Sequence, residues 1–304
     1  MSLKSVPNGS QANILKKDSS SLYNSLEPYL LLLPAFIVFG LFLFYPFIRT
    51  IYLSFFLTDK LGNAKVFWGI RNYADLFKSS SFWTSITVTV KFVLGVSFGS
   101  LLVGMITSLL TADEYPGSTF AAGSYAMPVA IASAAASMAF RMIFHPTSGL
   151  INNVLGTQIN WLGSPDWALF SVTMITIWLQ SGINFIFLSA GLRNIPKELY
   201  ESASIDGANY FKKLFNITLP SLSPTLFFQI IINIINSFQT FSQIKILTQG
   251  GPGDATNVIV HAIYRDAFFN FRFGTAAARS VILFAIILVV TLIQFKFEKR
   301  SVNY

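Results

Sequence analysis

The chain has 304 residues, of which 53% are hydrophobic, 15% aromatic and 11% charged, with a formal net charge of +8. Soluble domains carry about 25% charged residues, so the class is an integral membrane protein. The basic residues are scattered and no nucleic-acid motif is present, so the positive balance suits anionic lipid headgroups rather than nucleic acid. Cysteine is absent, which rules out disulfides and thiolate metal sites. The two histidines, His145 and His261, stand far apart with no carboxylate pair beside them, which argues against a metal or catalytic role.

Residues 1–26 contain Ser, Asn and Lys but no long apolar run or small-residue cleavage site, and read as a disordered tail rather than a secretory signal. Six apolar stretches follow, and a helix needs about 20 such residues to cross the hydrocarbon core. The first is Tyr29 to Ile48, and the second runs from Phe92 to Ala112 with Lys91 at its end, able to snorkel. The third, Tyr115 to Phe140, is rich in Ala, Gly and Ser, which let helices approach closely in lipid. The fourth is Trp167 to Leu192. The fifth, Leu214 to Ile244, exceeds the bilayer and must tilt, kink or emerge. The sixth, Gly274 to Phe295, carries Arg279 near its start. None alternates as a transmembrane barrel strand would. The predicted fold class is therefore all-α, a polytopic membrane protein with six transmembrane helices over residues 27–298 and a short tail at 299–304.

Between the fourth and fifth spans lies a polar, helix-prone island, residues 196–220. Pro196 suits the first position of a helix, and Glu198 and Glu201 place negative charge in its first turns. Gly207 ends that helix, and Asp206 is expected to cap a second segment carrying Phe211, Leu214 and Phe215 on one side. A helix, a bend and a second helix beside a membrane make a shape suited to docking into another protein.

The order Glu201, Ser202, Ala203, then Asp206, Gly207, Ala208, and finally Ile217, Leu219 and Pro220 resembles the cytoplasmic coupling-helix loop of binding-protein-dependent ABC-transporter permeases. Ser202 replaces the usual first alanine of that pattern. Other stretches resemble the carbohydrate-uptake branch, of the oligosaccharide and glycerol-phosphate permease type. They are Tyr45-Pro46 with Leu53-Ser54-Phe55, Gly69-Ile70-Arg71-Asn72-Tyr73, Phe144-His145-Pro146 with Gly149-Leu150-Ile151-Asn152, and Leu247-Thr248-Gln249-Gly250-Gly251-Pro252. Together these cover residues 29–298.

The resemblance implies a permease of the bacterial cytoplasmic membrane that imports a sugar or oligosaccharide. It implies a second homologous permease subunit, two ATPase subunits holding ATP and Mg, and an extracellular solute-binding protein as partners. It also implies that Glu201, Ala203, Asp206, Gly207 and Ala208 couple the chain to an ATPase, and that both termini are cytoplasmic. Charge alone leaves orientation open. On that assignment Lys and Arg number ten inside and eleven outside, so the positive-inside rule does not decide.

The chain has no Gly-x-x-x-x-Gly-Lys-Ser/Thr phosphate loop. Gly250-Gly251-Pro252-Gly253 lacks the Lys and hydroxyl residue, so a tight turn is expected there and no cofactor in this chain. In the fifth span Gln229, Asn233, Asn236, Thr240 and Gln243 recur at helical spacing, with Ser237 and Gln239 broadening the polar face. Amides cannot face lipid unsatisfied, so this stripe meets protein or water, as helix–helix contact or as the wall of a sugar cavity. By the resemblance, Thr176, Leu179, Gln180 and Ile183 before the loop, and Asn233, Asn236, Ser237 and Thr240 after it, line the substrate pathway. Arg279 is read as snorkelling to the interface, the alternatives being a water-filled cavity or a carboxylate partner. The competing functional reading is an ion-gradient-driven secondary transporter. Such proteins carry membrane-embedded carboxylates and repeats, whereas the thirteen Asp and Glu residues fall in loops, tails or span borders and no repeat is evident.

Overall fold

A computed structural model describes residues 28–113 and 115–301, with side chains up to Glu298. The 1–26 tail lies outside the described residues. The chain forms two packing units, one ending at Tyr52 and one starting at Leu53. The first contains the long apolar helix α1 (Pro28–Ser54), which crosses into the second by two residues. Pro46 has no N–H to give to the preceding turn, and a π-helical turn at Gly40–Phe44 lies immediately before it. Its side chains from Tyr29 to Ile48 are exposed, as expected of a span that meets lipid or another chain.

The second unit opens with a short antiparallel hairpin, β1 (Phe56–Thr58) and β2 (Ala64–Phe67). The sequence reading had no strand here, and the hairpin owes its turn to Asp59, whose carboxylate accepts from the amides of Leu61 and Asn63 at 3.0 and 2.8 Å. The Asn63 amide is the main cause that holds the Asp59 pKa below its ordinary value. After α2 (Arg71–Lys78) comes α3 (Ser80–Leu110), a second span that begins twelve residues before the expected Phe92. Lys91 is therefore inside the helix, not at its end. In this added stretch the hydroxyls of Thr84, Thr87 and Thr89 donate to carbonyls one turn back, so these polar side chains are satisfied within the helix.

The third apolar stretch is not one rod. Helix α4 (Ser118–Ala126) passes through a 3-10 turn at Met127–Ala130, and α5 (Ser133–Ile143) leaves at 104°. Pro128 sits in that turn, where its ring disfavours a continuing α-helix. After α6 (Leu150–Leu155), the fourth span α7 (Pro165–Arg193) falls within two residues of its expected ends. Then come α8 (Lys197–Ile205) and α9 (Tyr210–Ser221), the latter bent by 67° from the stretch Ser223–Leu247. That stretch divides into α10 (Ser223–Phe238) and α11 (Ser242–Leu247). Helix α12 (Ile259–Tyr264) and the last span α13 (Phe273–Ser301) complete the chain, α13 running on into the segment read as a tail. Among the described residues four helices are long and apolar enough to cross a membrane, or up to six spans if each bent pair is counted as one.

The main core joins α3 to α7. Val88, Phe92 and Val96 pack with Val172 and Ile175, and Ile244 and Leu247 of α11 close the cluster. The two long helices approach closely because α3 presents glycine at the seam. A Cβ on Gly104 would lie 2.5 Å from the Asn184 Cβ, so only a bare backbone fits there.

Candidate functional site

The 196–220 segment is an elbow braced by its own bonds. Helix α8 opens after Pro196, which is the N-cap residue rather than the first helical one, and Glu198 lies in the first turn. Gly207 adopts φ +75°, a left-handed conformation that closes the helix, and the Ala208 amide returns to the Ala203 carbonyl at 2.8 Å. Asp206 is not the cap of the next helix. That role belongs to Asn209, whose Oδ1 accepts from the Lys212 amide at 2.9 Å, while Asp206 terminates α8. Asn209 has the extended backbone an N-cap requires, and Asp206 lies one residue before the left-handed turn, too early to reach the new helix.

Two side-chain bonds tie the arms of the elbow together. Tyr200 Oη and Thr218 Oγ1 are 2.9 Å apart, and Lys213 Nζ donates to Ser204 Oγ at 2.7 Å. Glu201, Asp206 and Gly207 are exposed, whereas Ala203 and Ala208 are half-buried. Ile205, beside the bend, is 88% exposed, and Tyr210, Phe211 and Phe215 are exposed as well. Such a cluster of large apolar groups on an ordered polar segment marks a contact surface.

Of the residues expected along a substrate pathway, Thr176, Leu179, Gln180 and Ile183 lie on α7, and Asn233, Asn236 and Ser237 on α10. Asn233 and Asn184, both fully buried, exchange two amide hydrogen bonds at 2.9 and 3.2 Å. Asn184 also donates to the Gln180 carbonyl at 3.1 Å, and Gln229 Nε2 points to the Ile183 carbonyl at 3.5 Å. Thr176 is buried and bonded back to the Val172 carbonyl, and Leu179 packs at the edge of the main core. Ser237 meets Ser97 of α3 at 3.4 Å. Sequence reasoning missed both Asn184 and Ser97. Asn184 had a signal, since Thr176, Gln180 and Asn184 keep a four-residue rhythm; Ser97 had none.

The polar stripe of the fifth span is not one helix face. Helix α10 stops at Phe238, and Thr240 lies in the break, donating to the Asn236 carbonyl, while Gln243 belongs to α11. Asn236 is exposed, whereas Thr240 and Gln243 are buried. Helical spacing therefore relates Gln229, Asn233 and Asn236 but not the last two.

Beyond the other end of the fifth span, residues 245–279 form a tight bracket. Arg279 does not snorkel. It is 5% exposed, with its Nη2 3.0 Å from Asp266 Oδ2 and its Nη1 donating to Ser85 Oγ at 3.2 Å. A carboxylate partner cancels the cost of a charge in the spanning region, which removes the reason to reach for water. The Asp266 carboxylate is also held by Asn270 at 3.2 Å. Nearby, Arg265 pairs with Asp254 at 2.6 Å, and the Ile259 amide donates to Thr89 Oγ1 at 2.8 Å.

The Gly250–Gly253 turn packs on His261, and a Cβ on Gly250 would lie 2.7 Å from the imidazole. His261 stacks on Phe241 and its Nδ1 meets Asn257 Oδ1 at 2.9 Å. Burial, then the charges of Lys245 and Arg265, push its pKa down to about 4. The ring is thus a neutral packing element. Among the described residues no group of three His, Cys, Asp or Glu side chains is placed to hold a metal.

Residues 21–303 match the family model described as the binding-protein-dependent transport system inner membrane component. The chain is 34% identical over 285 residues to the sn-glycerol-3-phosphate transport system permease protein UgpA of Agrobacterium fabrum, covering 92% of this chain and 97% of that one. The corresponding Escherichia coli (strain UTI89) protein is 33% identical over 281 residues, covering 91% and 95%. In fold, a chain of the bacterial alginate ABC transporter, crystallised with an alginate pentasaccharide-bound periplasmic protein, superposes with a TM-score of 0.81 at 23% identity, covering 92% and 96%. With a family match over nearly the whole length, spans enough for a polytopic membrane protein and an exposed elbow between two of them, this chain belongs to the inner membrane components of binding-protein-dependent transport systems.

Proposed function

We propose that this chain is one of two membrane-spanning subunits of an ATP-driven importer that takes up a sugar or oligosaccharide. Its partners are a second homologous permease, two ATPase subunits that hold ATP and Mg, and an extracellular solute-binding protein that delivers the cargo. Both termini and the 196–220 elbow face the cytoplasm, and the chain lies in the cytoplasmic membrane of a bacterium.

The observation that supports this reading most is the elbow itself. Glu201, Ala203, Asp206, Gly207 and Ala208 form a stiff, self-bonded knuckle, and Ile205 stands free beside it. A partner that grips this knuckle can displace it as a unit. Since α7 and α10 emerge directly from it and are joined by the Asn184–Asn233 pair, the motion passes to both spans. The pathway is then the seam lined by Thr176, Leu179, Gln180 and Ile183 on one side and Asn233, Asn236, Ser237 and Thr240 on the other. The names of the relatives support a small hydroxylated cargo, and the periplasmic protein beside the alginate transporter supports delivery by a soluble receptor.

Gly207 gives the test. No atom of the chain lies within 4 Å of a Cβ added there, but φ is +75°. Gly207→Val therefore strains the turn, by about 1–3 kcal/mol, while Gly207→Asn tolerates the left-handed conformation. Uptake in vesicles energised with ATP and lacking an ion gradient is expected to fall at least tenfold (about 1.4 kcal/mol or more) for Gly207→Val, with the protein still inserted. Gly207→Asn retains most of it. Undiminished uptake by Gly207→Val, or uptake that persists without ATP, would refute the coupling role.

A further inference from the structure

The stretch between the first two spans has no part in the proposed function, yet it carries an ordered apolar face. We propose that β2 and α2 anchor the start of α3 in the membrane surface. Phe67, Ile70, Phe77 and Trp83 then sit at the edge of the hydrocarbon, with Arg71 and Lys78 among anionic phospholipid headgroups.

One side of α2 is tied to the protein. Asn72 is buried, and its Nδ2 donates to the Ser54 and Phe56 carbonyls at 2.8 and 3.1 Å. Tyr73 Oη lies 2.7 Å from Ser54 Oγ, and Leu76 packs with Phe82 and Ala278. Ile70 and Phe77, seven residues apart, share a different side and are exposed, Ile70 by 73%. Phe67 on β2 and Trp83 in the first turn of α3 are exposed too. Trp83 spends its one polar group within the chain, its Nε1 donating to the Phe77 carbonyl at 2.8 Å, so it shows only apolar ring outward. Large exposed apolar groups on a fixed element mark a contact surface.

The level of this face along α3 selects its occupant. Arg279 donates to Ser85 Oγ, which sets the start of α13 beside Ser85. Two residues beyond Arg279 the uncharged run 281–293 begins. Trp83 therefore stands where hydrocarbon gives way to headgroups, the depth that tryptophan favours. The face also continues into the span, since Trp83, Val90 and Leu94 recur at spacings of 7 and 4 as one exposed stripe of α3.

Charge agrees with that occupant. Arg71 and Lys78 are exposed and lie about 100° round α2 from Ile70 and Phe77, beside the apolar face rather than on it. Among the described residues neither pairs with a carboxylate. Arg71 stacks 4.8 Å over the Trp68 ring, which leaves its N–H edge to phosphate oxygens. Lys91, two turns farther in, leans back toward the same end, as helix side chains do, and snorkels to the same headgroups.

The chain has no cysteine. Ile70→Cys and, as a control on the polar side, Asp75→Cys can each be labelled with a fluorophore before the chain is assembled with its partners in phosphatidylcholine vesicles. Both sites are exposed, so neither change disturbs packing. Brominated lipid is expected to quench the label at 70 at least about twofold more than that at 75. A small fraction of brominated phosphatidylglycerol is expected to quench it about fivefold more than the same fraction of brominated phosphatidylcholine. Arg71→Gln with Lys78→Gln is expected to abolish that preference. Equal quenching at 70 and 75 overturns the anchor. So does shielding of the label at 70 only once the binding protein is added, which would make this face a protein-docking surface. A preference for phosphatidylglycerol that is absent, or that survives loss of both cations, overturns the headgroup contact. None of these results bears on the elbow, whose role is read from ATP-dependent uptake.

Discussion

The elbow at 196–220 and the bracket at 245–279 lie at opposite ends of the fifth span, and they differ in how far their bonds reach. In the elbow the side-chain bonds Tyr200–Thr218, Lys213–Ser204 and Asn209–Lys212 run within the segment. The bracket has bonds of its own, such as Arg279–Asp266 and Arg265–Asp254, but others run outward: Arg279 and the Ile259 amide reach α3 through Ser85 and Thr89, and Gly274 reaches β1 through Thr58. The contrast is mechanical. A segment that must be moved by another protein needs internal stiffness and a free surface, whereas a segment that fixes the ends of several spans needs ties to all of them.

The largest effect is expected from cutting the strongest tie in the bracket. Arg279 and Asp266 have side chains only 6% and 9% exposed, so solvent screens the pair little. Removing one partner of a buried pair costs about 3–5 kcal/mol, because the other charge is left uncompensated. Asp266→Asn is therefore expected to lower the apparent melting temperature of the detergent-solubilised chain sharply and to reduce its insertion. The double change Asp266→Leu with Arg279→Met removes both charges and is expected to recover most of the loss. If the double variant is as unstable as the single one, Asp266 holds the bracket by some means other than charge.

Arg279 also marks where sequence reasoning ended. Its partner lies thirteen residues upstream, across a turn in which Phe271 takes φ +53°, and only the folded chain returns it to that carboxylate. The same limit applies to the Asn184–Asn233 pair: periodicity placed Asn233 on a helix face, but the choice of partner depends on the register of α7 against α10. Span four was legible almost to the residue, since Ser164-Pro165 and Arg193-Asn194 are explicit start and stop signals. Spans three and five were legible as apolar stretches but not as bent pairs, because counting apolar residues gives length without direction. In the elbow, Gly207 announced the bend correctly, whereas its neighbours Asp206 and Asn209 are both good cap residues. Only the backbone at Asn209, extended before Tyr210, selects one.

A smaller effect on the bracket follows from His261. Its pKa falls from the ordinary 6.5 to about 4 in the folded protein. Above pH 6.5 the ring is neutral folded or unfolded, and it contributes no pH dependence. As pH falls below 6.5 the unfolded chain takes up a proton that the folded one refuses, so stability drops until about pH 4, where both are charged. The melting temperature at pH 5 is therefore expected to lie below that at pH 7.5, and His261→Gln is expected to shrink the difference. An unchanged difference would mean that other groups carry the acid sensitivity.

The smallest effect belongs to the elbow, and it separates internal stiffness from attachment. Asn209→Ala removes the side chain that accepts from the Lys212 amide, a loss of about 1 kcal/mol for an N-cap. One kcal/mol is roughly a fivefold change in an opening equilibrium. Hydrogen exchange at the Lys212 amide is expected to quicken by about that factor, while the bracket amides at Ile259 and Gly274 keep their rates. The bonds Tyr200–Thr218 and Lys213–Ser204 survive the change, so the elbow frays at the start of α9 without coming apart. If exchange instead quickens across both α8 and the bracket, the elbow is not a separate body, and force applied to it would disperse through the spans instead of moving them together.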